Sequence, residues 1–196
     1  EKDTLLREVH HRVKNNLQIV SSLIDLQAAR QKSRDVQALF RDARDRVRSM
    51  ALVHEKLYQS EDLAQTELGT YTKNLMKELF QAHGEVSSKI RLNMQLEPVR
   101  LPVDRAIPCG LILNELATNS LKHAFIGRQE GLIEICLTSI GNRSVRLVFQ
   151  DDGKGFPSGF NWHATESLGL RLVRMLSEQL RADLRHRNGS GTTFEI

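Results

Sequence analysis

From Asp3 to about Gln31 the apolar residues Leu6, Val9, Val13, Leu17, Val20 and Ile24 recur at steps of three and four, the seam of an amphipathic helix. After QKSRD a second seam, Val36, Phe40, Ala43, Val47, Met50, His54 and Leu57, keeps that spacing as far as Tyr58, with the charged run RDARDRVR on its other face. So short a polar connection predicts an antiparallel helical hairpin. Two helices cannot enclose a core alone. The hairpin must therefore pair with a copy of itself as a four-helix bundle or lie against the remaining chain.

The stretch SEDLAQTELG is polar and turn-like, and a domain boundary is placed there, giving residues 1–62 to the hairpin and 63–196 to a second domain. Beyond it the pattern predicts a helix around Thr70 to Ala82, then period-two stretches near Lys89 to Leu96, Leu132 to Ile140 and Ser144 to Gln150. A helix is expected to follow Pro108 through to Ala124 and another to run from Leu168 to about Leu180. Strands are expected near Ala182 to Arg187 and Thr192 to Ile196. Strands and helices mix without strict βαβ alternation, which favours an α+β sandwich over a doubly wound sheet.

Composition narrows the partners. With 28 Lys and Arg against 24 Asp and Glu, the net charge of +4 suits an anionic ligand without choosing one. Only 5% of residues are aromatic and none interleave with basic side chains, so nucleic acid is not expected as a partner. Cys109 and Cys136 stand far apart without metal-ligand spacing and read as small buried apolar residues in a reducing cytosol. The expected location is cytoplasmic, with room for a membrane anchor in the intact protein. A start inside a helical pattern is what a fragment cut from an upstream portion would show.

Four short stretches can carry chemistry. In ILNELATNSLKHAF, Ile112 to Phe125, helical spacing puts Glu115, Asn119 and Lys122 on one face, opposite Leu113, Ala117, Leu121 and Ala124, and this polar stripe is expected to face away from the core. A carboxylate and an amide oxygen one turn apart are hard ligands of the kind Mg²⁺ accepts beside waters and phosphate oxygens, and the lysine can reach a phosphate. In VFQDDGKGFP an apolar strand ends at Asp151, able to accept from an exocyclic amine, and Gly153 and Gly155 let backbone approach a ligand. In ESLGLRLVRML, Gly169 sits at a helix entry whose free N–H groups suit phosphate oxygens. GSGTTFEI is a glycine turn feeding a terminal strand. Each alone reads equally as a solvated helix face or a common turn.

In this order and spacing, E-x-x-x-N on a helix, D-x-G-x-G after a strand, L-G-L at a helix entry and G-T-x-F resemble the N, G1, G2 and G3 boxes of the GHKL ATP-binding fold. Upstream, EVHHRVKNNLQIVSSLIDLQ and RVRSMALVHEKLY look like the HisKA-2 class of sensor histidine kinases, close to the HWE kinases. The resemblance covers essentially the whole chain. It implies ATP and Mg²⁺ as cofactors, with Asn119 and Glu115 at the metal, Lys122 on phosphate, and Asp151 reading adenine in a pocket shaped by Gly153 and Gly155. Gly169 and Leu170 would mark the end of the ATP lid, and Thr192 would lie on the cofactor side of the G3 box. No GxxxxGK[ST] string occurs. The expected lid, Phe156 to Ser167, is short, lacks the first glycines of a full GxGxGLG string and carries Trp162, which reads as a hydrophobic clasp, and His163.

Of the two adjacent histidines, His11 points about 160° from the first seam and His10 about 60°, by helical-wheel arithmetic. An outward His11 is the expected phosphoacceptor, His10 a packing residue and His54 a structural one. The family pattern agrees from His11 onward, although the acid that follows the histidine in the larger HisKA class is replaced here by Arg12. Glu8, one turn earlier, is then the candidate orienting partner or base. Arg12, Lys14 and Asn15 are candidates for screening the γ-phosphate or docking a response regulator.

The expected protein is a histidine kinase that phosphorylates itself from Mg²⁺·ATP and passes the phosphoryl group to an aspartate on a response-regulator receiver domain. The hairpin is expected to dimerise, with a monomer as the alternative, and a sensor domain is expected upstream. The rival readings are a serine protein kinase of the anti-sigma type on the same ATP fold and a degenerate phosphotransfer scaffold.

Overall fold

The protein was analysed as a computed structural model that describes residues 2–57, 65–141, 144–165 and 167–196; of residues 2–7, 9–11 and 56 only the backbone is described. The chain forms two compact units, Glu1–Thr66 and Glu67–Ile196. The first half of the polar stretch expected at the boundary, residues 60–64, lies outside the described residues.

The first unit is a hairpin of α1 (Lys2–Arg30) and α2 (Arg34–Leu57). Its antiparallel register is fixed by ion pairs between the helices: Lys14 with Glu55 at 2.8 Å, and Asp25 with Arg44 at 3.0 Å and Arg48 at 3.7 Å. Such half-exposed pairs contribute only about 0–1 kcal/mol each, so they select register more than they stabilise. Ile19, Leu23 and Leu26 stay exposed along one face of α1, as does Leu39 on α2. No helix among the described residues is long and apolar enough to cross a membrane.

The elements that follow begin with β1 (Gln65–Glu67), α3 (Leu68–Ala82), α4 (Gly84–Ser88), β2 (Ile90–Leu96) and β3 (Arg100–Pro102). After them come α5 (Val103–Asn119), a π-helical turn (Ser120–Ala124), β4 (Gly131–Ile140), β5 (Ser144–Asp151), α6 (Leu168–Leu180), β6 (Arg185–Gly189) and β7 (Gly191–Glu195). Glu67 caps α3, its carboxylate accepting from the N–H groups of Gly69 and Thr70 at 2.8 and 2.7 Å. Five strands form one sheet in the order β2-β4-β5-β7-β6, parallel between β2 and β4 and antiparallel elsewhere. The α+β class expected from the sequence is the class found.

Register places Ile133, Ile135 and Leu137 of β4, Leu147 and Phe149 of β5 and Phe194 of β7 on one face, all buried. On the opposite face Glu134, Arg146 and Gln150 are exposed or half-exposed. One apolar face per strand is the period-two pattern that made these strands visible in the sequence. The helical layer centres on α5, which packs against both α3 and α6. Cys109 of α5 is buried, which pushes its thiol up to about 12 and leaves it a small apolar residue. Cys136 is only half-buried.

Two expectations need correction. The α5 helix does not wait for Pro108 but starts at Val103, with Pro108 inside it. The first four N–H groups of a helix have no intrahelical partner anyway, so a proline at the sixth position removes only one early bond. The polar stripe of α5 does not face away from the core either: Glu115 is 4% exposed, because α3 and α6 flank α5 and leave it little free face.

Candidate active site

Leu147, Phe149 and Asp151 alternate along β5, so the carboxylate continues the core face instead of entering solvent. Asp151 pairs with Ile133 on one side and Thr192 on the other and is buried. Burial raises its pKa above the ordinary aspartate value, an effect that Asp152 reinforces and that donors from Ser120, Gly153 and Thr192 oppose. Ser120 Oγ donates to Oδ2 at 2.7 Å and the Gly153 N–H to Oδ1 at 2.9 Å. A hydrogen bond to a charged acceptor contributes about 1.5–3 kcal/mol, enough to hold the carboxylate in one orientation.

The turn after β5 is clasped to the π-helical turn. The Lys154 N–H donates to the Ala124 carbonyl at 3.0 Å, and a Cβ on Gly153 would lie 2.4 Å from Ala124 Cβ, so only glycine permits this approach. Leu132 N–H donates to Asp152 Oδ1 at 2.7 Å, and Arg128 bonds the Asp152 carbonyl and pairs with its carboxylate at 3.5 Å. Gly191, at φ 108°, lies so close to this strand that a Cβ would sit 1.9 Å from the Asp151 carbonyl oxygen. The structure thus brings Asp151, Gly153 and Thr192 together against the end of the α5 segment, with Gly155 beside Asn188 and Gly191.

Glu115 and Asn119 lie one turn apart in α5, the first buried and the second half-buried, and half-buried Lys122 follows in the π turn. A carboxylate and an amide oxygen fit a hard cation that takes its remaining ligands from phosphate oxygens and water. Among the described residues no group of three or more His, Cys, Asp or Glu side chains could hold a metal by itself. Gly169 and Leu170 open α6 and are both buried.

Sequence reasoning missed two residues here. Ser120 reads as an ordinary helix residue, and nothing local shows that it meets a carboxylate 31 positions on. Asn188, ahead of a glycine turn, reads as a turn former. In the structure it holds the start of the expected lid: its Oδ1 accepts from the Phe156 N–H at 2.8 Å and its Nδ2 donates to the Phe156 carbonyl at 2.9 Å. Phe156 stacks on Phe160 with centroids 4.6 Å apart, and Trp162, 7% exposed, meets Phe194 edge-on at 5.8 Å. His186 contacts Phe156, Trp162 and Phe194 within this group. The segment is fastened through its aromatic rings, where the sequence suggests a clasp at Trp162.

In the first unit His10 and His11 lie on α1, but their side chains, and so their expected orientations, fall outside the described residues. Glu8 is exposed and accepts from Arg12 Nε at 2.9 Å. His54 is half-buried, and burial lowers its pKa.

A family model described as histidine kinase matches residues 8–83, and one for histidine kinase-, DNA gyrase B- and HSP90-like ATPases matches residues 105–196. The solved histidine kinase domain of the Erythrobacter litoralis EL346 blue-light activated kinase is 31% identical with a TM-score of 0.72, covering 99% of this chain and 90% of that one. This chain belongs to the histidine kinase family. Two further relatives in the family are blue-light-activated histidine kinase 2 of Erythrobacter litoralis, 33% identical over all of this chain, and the sensor histidine kinase PdtaS of Mycolicibacterium smegmatis, 36% identical over 89% of it. The chain spans 57% of the first relative's length and 35% of the second's. The ATPase match starts at Arg105, near the beginning of α5, and so includes both the Glu115–Asn119 turn and the Asp151 cluster.

Proposed function

We propose that this histidine kinase chain phosphorylates itself on His11 from Mg²⁺·ATP and passes the phosphoryl group to an aspartate on a response-regulator receiver domain. Residues 1–62 form the dimerisation and phosphotransfer hairpin, and residues 63–196 the ATP-binding catalytic domain. The observation that carries this reading is Asp151: a buried carboxylate, fixed by donors on both oxygens, at the end of a core face and beside a glycine turn. It suits the exocyclic amine of adenine. Asn119 and Glu115 would hold Mg²⁺, which when bound neutralises phosphate charge. Lys122 would contact phosphate, Thr192 and the glycines Gly153 and Gly155 would border the nucleotide, and Gly169 and Leu170 would end the lid.

In the transfer, Nε2 of His11 attacks the γ-phosphorus, the bond from that phosphorus to the bridging oxygen breaks, and ADP leaves with the electron pair. The imidazole must present Nε2 unprotonated, which takes the neutral ring in its Nδ1–H tautomer, so tautomer control matters more than a strong base. Glu8 is the proposed orienting partner, a role it would share with its ion pair to Arg12. The exposed Ile19, Leu23 and Leu26 stripe favours a homodimer through the hairpin, because a lone two-helix unit leaves that face to water.

The test is autophosphorylation with γ-labelled ATP. Acid-labile, alkali-stable label on the wild type, lost in His11→Ala and Asn119→Ala and kept in His10→Ala, is the expected outcome. Label that survives His11→Ala and resists acid would point instead to a hydroxyl-directed kinase.

A further inference from the structure

We propose that Ser120 is the positioning residue that makes this site select adenine over guanine, by holding Asp151 as a hydrogen-bond acceptor. This rests on the reading that Asp151 meets the base. An ionised carboxylate offers about four acceptor positions. Ser120 Oγ–H takes one on Oδ2 and the Gly153 N–H takes one on Oδ1, while the Thr192 backbone beside them also favours the charged form. Acceptor capacity is left on the carboxylate for an N–H of an exocyclic amine.

Adenine presents an amine where guanine presents a carbonyl oxygen. An acceptor-only carboxylate attracts the first and repels the second, whereas a protonated carboxyl can donate to the carbonyl and loses the distinction. Burial of Asp151 favours that protonated form, and the negative charge of Asp152, itself paired to Arg128, adds to it. Against these stand the three donors, of which the Gly153 and Thr192 groups are backbone and cannot be varied. The π-helical turn that carries Ser120 also carries Lys122 and His123, and the partner of Asp151 on β7 is Thr192. Ser120 is buried, so its hydroxyl has no water to prefer over the carboxylate.

The test is calorimetric binding of Mg²⁺·ATP and Mg²⁺·GTP to the wild type, Ser120→Ala, Ser120→Thr and Asp151→Asn between pH 5 and 8. Ser120→Ala is expected to weaken ATP about tenfold, equivalent to about 1.4 kcal/mol, with GTP nearly unchanged, and to raise the pH below which ATP binding declines. Ser120→Thr, which keeps the hydroxyl, restores both. If Ser120→Ala does not fold, the near-isosteric Ser120→Cys, a weak donor, is read the same way. Asp151→Asn abolishing the ATP preference while Ser120→Ala leaves the ATP/GTP ratio and the pH profile unchanged would overturn the role of Ser120 and spare that of Asp151. Asp151→Asn with unaltered ATP binding would overturn both.

Discussion

Asn188 grips the peptide of Phe156 from both sides, accepting from its N–H at 2.8 Å and donating to its carbonyl at 2.9 Å. One side chain from β6 therefore replaces the strand neighbour that the backbone at Phe156 would otherwise lack. Both bonds are exposed, so each contributes about 0.5–1.5 kcal/mol net. Asn188→Ala should free the start of the expected lid: faster hydrogen exchange at the Phe156 amide, ATP bound a few-fold more weakly, and global stability lowered by about 1–2 kcal/mol. Exchange at Phe156 as slow as in the wild type would contradict this.

Tyr71 and Gly110 set how closely α3 and α5 approach. A Cβ at position 110 would lie 1.9 Å from the Tyr71 hydroxyl oxygen, which has no hydrogen-bond partner among the described residues. Burial raises the phenol's pKa, so the group stays neutral. Gly110→Ala should cost about 1–3 kcal/mol by overpacking. Tyr71→Phe should cost little, and adding it to Gly110→Ala should recover only part of the loss, because ring carbons Cζ and Cε1 would still lie 2.7 and 2.8 Å from the new Cβ. Urea unfolding of the two single variants and the double one gives the coupling directly.

His186 makes the aromatic group pH-sensitive. Burial lowers its pKa below the ordinary 6.5, and the neighbouring His163 lowers it further. A depressed folded pKa gives stability that is present above the unfolded value and lost as pH falls from about 6.5 through the folded one. Trp162, the chain's one tryptophan, lies 5.6 Å from His186 and reports the region by fluorescence. The Trp162-detected melting midpoint should fall from pH 7 to pH 5, and His186→Phe should flatten that fall.

Asp151 has the opposite sign. Its pKa is raised by burial, so stability from binding the proton is complete below the unfolded value near 3.8 and is lost as pH rises through the folded one. At pH 7 the ionised side chain is a burden on the free protein. Asp151→Asn should melt higher than the wild type at pH 7 and no higher below pH 4, while losing ATP. Differential scanning calorimetry at the two pH values checks it.

What the sequence disclosed, it disclosed through periodicity and glycine punctuation. Helices α1, α2 and α6 announce themselves by apolar seams, and β4 and β5 by alternation, because each buries one face. The order of Glu115, Asn119, Asp151, Gly169 and Thr192 carried the family before any coordinates did. Pro108 misled because a proline is read as a helix start, although one lost bond near the N-terminus is tolerable. Ser120 and Asn188 were invisible because their partners lie 31 and 32 positions away, and no local pattern encodes a contact of that separation.

The sheet face that buries Ile133, Phe149 and Phe194 does not stop at hydrocarbon; it runs on into Asp151 and Thr192. A purine laid there would be the next tile of the interior, not a passenger on the surface. Filling and emptying the site would then add and remove a piece of the domain's own packing, so that nucleotide state and mechanical firmness become one variable.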